Sequence, residues 1–113
     1  MADCAEELID LLDGDFVRLE LGHRSFEAEV IEHEREPYRD GTGRTAWEYT
    51  IRFMPVGASA ATVDADHFRI EVRSPSSGES TVGTLKAETY DEEQLDYVTS
   101  PIGEIKDVRT IDV

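Results

Sequence analysis

The stretch DFVRLELGHRSFEAEV, residues 15–30, decides the fold of this chain. Apolar and polar side chains alternate in it on both sides of a Gly22-His23 pair, which is the period of a strand with one buried face. Two such runs joined by two residues that include glycine are typical of a tight β-hairpin. The stretch therefore predicts two antiparallel strands, and the second of them continues toward Glu36.

The same two-residue period returns further along the chain. It predicts three more strands: 45–54, 67–73 and about 80–89. In the first of these, the larger side chains share one predicted face: Thr45, Trp47, Tyr49, Ile51 and Phe53. Residues 103–112 are also assigned to a strand, although their apolar residues are spaced by three. Turn-forming or small polar residues fill the predicted loops: 37–43, 56–66 and 74–78.

Two segments carry helical signals. Near the N-terminus, Asp3 is a candidate N-cap with Glu6 as its capping-box partner, and the leucines that follow lie on one helical face. Gly14 is expected to end this helix. Asp91 is a second candidate cap, for one or two helical turns that run to Tyr97.

These elements predict a mainly β domain with a minor α part. Five or six short strands with brief turns and a leading helix indicate a small, partly open antiparallel barrel. Residues 14–30 are also similar to the first hairpin of many SH3-like barrels, and this resemblance implies an SH3-like architecture. No internal repeat or long linker divides the sequence, so residues 1–113 are predicted to form a single domain.

The composition is strongly acidic, with 26 Asp and Glu residues against 11 Lys and Arg residues and a net charge of -15. Repulsion at this charge density destabilises a small fold, but molar salt shortens the Debye length to about 3 Å and screens it. Abundant carboxylates with few lysines resemble the cytosolic composition of salt-accumulating archaea. We therefore predict a halophilic, archaeal protein. A disordered acidic chain is the competing interpretation, and the ordered apolar periodicity argues against it.

The cytoplasm is the predicted location. The acidic N-terminus lacks the basic start and apolar stretch of a secretory signal, and no apolar run is long enough to predict a membrane span. Cys4 is the single cysteine, so no disulfide can form within the chain. A lone cysteine suits a reducing compartment.

Signals for catalysis and cofactors are weak. The three histidines, His23, His33 and His67, form no close metal-binding pair, and Cys4 has no Cys-x-x-Cys partner. Segment 64–67 holds three ligand-type side chains but lacks the glycine and distal glutamate of a calcium loop. Nucleophile-elbow and phosphate-binding motifs do not occur either. We therefore predict no metal, no cofactor and no catalytic residue.

Segment 35–55 is distinctive because its charges sum to +1, whereas the segments on both sides are acidic. It is also rich in aromatic residues, and arginine together with tyrosine and tryptophan is enriched at interaction hot spots. The candidate binding residues are therefore Arg35, Tyr38, Arg39, Arg44, Trp47 and Arg52. The simpler interpretation places the aromatic residues in the core and pairs the arginines with neighbouring glutamates.

Taken together, these patterns favour a non-enzymatic interaction module that binds an unknown protein partner or self-associates through segment 35–55. The alternative is a small barrel that binds nucleic acid through the same residues, which the overall acidity and the loss of phosphate affinity in salt disfavour. A small metal-dependent or acid–base enzyme is the third hypothesis. A buried polar cleft near His67 would support the enzyme, and a flat aromatic strip around Arg39 and Arg44 would support binding.

Overall fold

The fold is built on a β-meander in which most strands pair with their neighbours in sequence, and a computed structural model describes it for residues 4–111. Two short helices accompany the strands: α1 (Cys4–Ile9) and α2 (Ala58–Thr62). The strands are β1 (Phe16–Leu21), β2 (Arg24–Arg39), β3 (Thr45–Pro55), β4 (His67–Ser74), β5 (Thr81–Val82), β6 (Leu85–Asp91), β7 (Asp96–Gly103) and β8 (Ile105–Thr110). All eight belong to one antiparallel sheet that curls into a half-barrel.

The order of strands across the sheet is β7-β6-β4-β3-β2-β1-β8, with the short β5 pairing to β4. β7 and β8 are consecutive in the chain yet lie at opposite ends of this order. Gly103 pairs with Leu85 of β6, and Ile105 pairs with Leu21 of β1, so the chain crosses from one sheet edge to the other at Glu104. A Cβ on Gly103 would lie 3.2 Å from the Leu21 Cδ2 atom, so a side chain there would crowd Leu21.

The core lies on the concave face of the sheet and is closed by α1. Alternate residues of β1 to β4 point inward, and Phe53 and Phe68 are fully buried among them. Ala5 and Leu8 of α1 are also fully buried, and the helix contacts β8, β4 and β5. Burial of a leucine side chain such as Leu8 contributes about 1.5–3 kcal/mol. A helix of six residues is too short to be stable alone, so packing against the sheet stabilises α1.

The predicted mainly β, antiparallel architecture is confirmed. β1 and β2 form the predicted hairpin, with Leu21 opposite Arg24 and the Gly22-His23 pair as its connection. The predicted strands 45–54, 67–73 and 103–112 correspond to β3, β4 and β8 within the described residues. The alternation of apolar residues was sufficient for β3 and β4 because each of them has one buried face. β8 was predicted without that alternation, and it buries Ile105 and Val108, which are three residues apart.

The number of strands is the first correction, because the sheet has eight strands rather than five or six. The predicted strand 80–89 is divided into β5 and β6 at Gly83. The Gly83 N–H donates a hydrogen bond to the carbonyl of Glu71, which is a residue of β4. Residues 37–39 are not loop: β2 continues to Arg39, which is opposite Thr45. Pro37 is tolerated there because this part of β2 extends beyond its pairing with β1.

Segment 91–97 is the second correction, because it forms a strand connection and not a helix. The Asp91 carboxylate accepts a hydrogen bond from the Glu93 N–H at 2.9 Å, and Leu95 has a positive φ of 56° that turns the chain into β7. An Asx turn uses the same carboxylate-to-backbone hydrogen bond as a helix N-cap, so the two have one sequence signature. β7, the strand that follows, was therefore missed.

The helical predictions also needed correction at two further places. α1 ends at Ile9 and not beside Gly14, whose positive φ of 92° instead directs its N–H to the Val30 carbonyl at 2.7 Å. The predicted cap, Asp3, lies outside the described residues. Segment 56–66 contains the short helix α2, in which the Ser59 hydroxyl accepts a hydrogen bond from the Glu27 N–H.

Candidate functional site

The six residues predicted to bind a partner are divided between the two faces of the β2–β3 hairpin. A bulge between Val30 and Glu32 shifts the register of β2 by one residue. Arg35 therefore pairs with Tyr49 on the core-facing side, where its guanidinium carbon lies 4.4 Å from the centroid of the Trp47 ring. This distance is that of a cation–π contact.

The other predicted residues make separate contacts. Tyr38 lies on the outer face, where the Arg73 guanidinium is 5.4 Å from its ring. Arg39 donates to the Gly43 carbonyl within the hairpin loop, and Arg44 is exposed in the same loop. Arg52, which pairs with Glu32, also lies on the outer face, so the six candidate residues do not share one face of the hairpin.

A charged cluster on the outer face is centred on Glu88, whose side chain is 8% exposed. His67 Nε2 is 3.0 Å from Glu88 Oε1, and because an ionised carboxylate can only accept, the ring nitrogen is the donor. Arg52 Nε and Arg69 Nη1 lie 3.9 and 3.8 Å from the same carboxylate, and the Thr99 hydroxyl is 3.4 Å away. Glu88 was not among the residues predicted from the sequence, and its carboxylate is surrounded by donors of its own sheet.

Glu32 extends this cluster toward β2, with its Oε2 2.5 Å from Arg52 Nη1. A hydrogen bond shared with the Glu34 side chain, followed by the bond from Arg52, lowers the pKa of the Glu32 carboxyl. The same shared bond raises the pKa of Glu34. Within residues 4–111, no group of three or more His, Cys, Asp or Glu side chains has the geometry to hold a metal ion.

Exposed apolar side chains concentrate in the β6–β7 hairpin. Seven large hydrophobic residues are exposed in the described chain, and four of them belong to this hairpin: Tyr90, Leu95, Tyr97 and Val98, at 45%, 76%, 47% and 41% exposure. The Tyr90 and Tyr97 rings meet edge to face with centroids 5.5 Å apart, and His67 contacts Tyr97 from the other side at 5.0 Å. Tyr90 and Tyr97 share one face of the hairpin, whereas Val98, which pairs with Thr89, lies on the other face. Exposed apolar groups that cluster as the two tyrosines do are common at interaction sites.

β7 is an edge strand that, within the described residues, pairs with β6 and no other strand. On β6, the Tyr90 N–H donates to Asp66 Oδ2 and the Glu88 carbonyl accepts from the Asp66 N–H, so both groups point toward β4. Their partners across the hairpin, Tyr97 and Thr99, consequently point their main-chain groups away from β6. These groups face an open edge.

The tip of this hairpin is acidic. Six carboxylates belong to the tip and to the adjoining segment before β4: Asp64, Asp66, Asp91, Glu92, Glu93 and Asp96. Residues 87–105 contain no lysine or arginine. Along the sequence, the exposed apolar residues of the hairpin are thus flanked by acidic residues and by no lysine or arginine.

Sequence reasoning did not find the β6–β7 hairpin or its exposed apolar side chains. A local signal was present, because Tyr97, Val98 and Thr99 are three consecutive residues with high strand propensity. The Asp91 signature overrode it, and exposure at an edge depends on which strands pair, which no local pattern contains. Comparison with protein families, with characterised proteins and with solved structures finds no match to this chain. Among residues 4–111, no helix is both long and apolar enough to cross a membrane.

Proposed function

We propose that this chain is a non-enzymatic protein-interaction domain that binds its partner through the β6–β7 hairpin. The observation that carries the proposal is the concentration of exposed Tyr90, Leu95, Tyr97 and Val98 on one hairpin at a sheet edge. Tyrosine is enriched at interface hot spots because its ring adds apolar contact area and its hydroxyl a polar one. Burial of these four side chains by a partner would remove their apolar surface from water.

The setting that we propose for this domain is the cytoplasm of a salt-accumulating archaeon, which the net charge of -15 supports. We also propose that the half-barrel is SH3-like, since β1 and β2 form a tight hairpin and β8 returns to pair with β1. In concentrated salt, long-range steering is screened, so the affinity would come from short-range contacts, among them those of the apolar groups of the hairpin.

Nucleic-acid binding is the second candidate function, and the stacked Arg35–Trp47 pair is the observation that favours it. Such stacked aromatic and guanidinium groups are used to hold single-stranded bases. The surrounding strands carry Glu34, Glu36 and Glu48, which repel phosphates. We therefore place this function behind protein binding, and we propose Arg35 and Trp47 as a secondary contact for the protein partner.

The test is capture from an extract of the source cells in about 2 M KCl, with captured proteins identified by mass spectrometry. The bait variant replaces Leu95 and Tyr97 by serine, and the matched control replaces Ile31 and Met54, which are exposed apolar residues outside the hairpin. We expect the control to retain the captured protein and the hairpin variant to lose it by about tenfold or more. Equal capture by both variants, or capture of nucleic acid in place of protein, would contradict the proposal.

A further inference from the structure

We propose that the partner binds as an extended, lysine- or arginine-rich segment that pairs along β7 and adds a strand to the sheet. This inference rests on the proposed function, and it specifies the conformation and the charge of the partner. Strand addition of this kind draws its affinity from main-chain hydrogen bonds and its specificity from the side chains that flank the edge.

The open edge of β7 has the main-chain groups that such a strand requires. The Thr99 N–H and carbonyl and the Tyr97 carbonyl face away from β6 by the alternation of the ladder. The Tyr97 N–H is held at 2.8 Å by the carboxylate of Asp96 next to it. Pro101 lies two residues after Thr99, so its main chain also faces away from β6, but proline has no N–H to donate. Pairing of an added strand is therefore limited to the part of β7 before Pro101.

The strand edges left open within residues 4–111 differ in the charge that they carry. β8 pairs only with β1, and it carries Lys106, Asp107 and Arg109. Residues 32–39 of β2 pair only with β3 within the described chain, and they carry Glu32, Glu34, Arg35 and Glu36 followed by Pro37. Charged residues and proline on an edge prevent pairing with other chains. Residues 97–103 of β7 contain no charged side chain at all. The β7 edge is therefore the one that can accept another strand.

Charge complementarity identifies the occupant. Four carboxylates at the hairpin tip and two in the segment before β4, together with the absence of lysine and arginine from residues 87–105, favour a positively charged segment. A second copy of this chain would bring its own β7 and its own charge of -15 to the same edge, so the electrostatic term opposes self-association there. A basic, extended segment could pair with the unpaired main-chain groups of β7 and could also be attracted by the neighbouring carboxylates.

The experiment measures binding of a fluorescent eight-residue peptide, in which lysine alternates with valine or threonine, by anisotropy in about 0.15 M and about 2 M KCl. A lysine–proline peptide of equal charge is the control for attraction without strand pairing, since proline cannot donate along an edge. Folding of every variant is verified by circular dichroism. We expect the lysine–proline peptide to bind about tenfold more weakly than the strand-forming peptide in both salts.

Two variants of the protein test the edge and the charge separately. Thr99→Pro removes the outward N–H and is expected to weaken the strand-forming peptide about tenfold, whereas the control Thr99→Val retains the N–H and is expected to stay within about twofold. Glu92→Lys with Glu93→Lys reverses charge in the exposed turn, where it does not disturb the strands. We expect this pair to weaken the same peptide about tenfold in the lower salt.

Several results would overturn the inference. The first is equal binding of the two peptides by the unchanged protein. The second is unchanged peptide binding by a folded Thr99→Pro variant or by the charge-reversed variant. The third is a dimer, detected by light scattering, that becomes a monomer in the Thr99→Pro variant. If Thr99→Pro does not fold, the peptide comparison and the charge reversal still decide the outcome. Should these tests fail while capture remains sensitive to Leu95 and Tyr97, the hairpin binds a partner of another shape. Loss of both results would remove the proposed function itself.

Discussion

Replacement of Glu88 by glutamine is expected to destabilise the fold by about 2 kcal/mol. The Glu88 carboxylate is 8% exposed and holds His67 at 3.0 Å between two guanidinium groups. Hydrogen bonds to a charged group contribute about 1.5–3 kcal/mol, and removing one partner of a buried ion pair costs about 3–5 kcal/mol. Arg52 and Arg69 retain 28% and 25% side-chain exposure, so water compensates part of the loss and the lower range applies.

The measurement is urea unfolding followed by Trp47 fluorescence in about 2 M KCl, where exposed ion pairs are screened and buried ones much less. The matched control is Glu71→Gln, because Glu71 lies 3.9 Å from the same Arg69 but is 44% exposed. We expect the control to change the free energy of unfolding by no more than about 0.5 kcal/mol. Equal losses in the two variants, or a stabilised Glu88→Gln protein, would refute the view that this cluster holds the outer face together.

Three further predictions concern salt, acid and the arginines of the β2–β3 loop. The melting temperature followed by circular dichroism should rise markedly between dilute buffer and molar KCl, because the charge of -15 is screened there, and a flat profile would remove the halophilic interpretation. Hydrogen bonds from the Ser76 and Thr42 side chains hold the pKa of Asp40 far below its usual range, so its stabilising contribution is present above pH ~4 and is lost as the pH falls below that value. In urea titrations at a series of pH values, the stability of Asp40→Asn should therefore fall less steeply with acid than that of the unchanged protein. Replacing Arg39 and Arg44 together by alanine should shift the free energy of unfolding by no more than about 0.5 kcal/mol, and a larger shift would show that this loop is structurally essential.

Local patterns predicted the strands whose two faces differ. Alternation of apolar and polar residues marks a strand that is buried on one face. It was therefore possible to recognise the Gly22-His23 hairpin and strands with a buried row, such as the one that contains Ile51 and Phe53. β7 could not, because its residues are exposed on both faces and the Asp91 turn imitates a helix cap. The buried row of a strand is therefore visible in a sequence, and an exposed edge is not.

The faces on which the candidate residues of segment 35–55 lie were harder to predict for a related reason. A single inserted residue in β2, at the bulge between Val30 and Glu32, moves Arg35 to the face of Trp47 and leaves Tyr38 on the opposite one. Bulges have no reliable sequence signature here, and one shifted position exchanges the faces of every residue beyond it. The aromatic and arginine composition of segment 35–55 is visible in the sequence, but the face on which each of its residues lies depends on the register.

The return of β8 to the first strand sets the order in which this molecule can be completed during synthesis. Pairs such as Val17 with Thr110 and Leu19 with Val108 join positions separated by nearly the whole described chain. Loop closure over such a distance is slow, whereas the hairpins of the meander form from neighbouring residues. In a nascent chain whose residues up to the end of β7 have left the ribosome, β1 therefore still has one unpaired edge. The inward side chains of β1 are fully covered only after residue 110 has emerged.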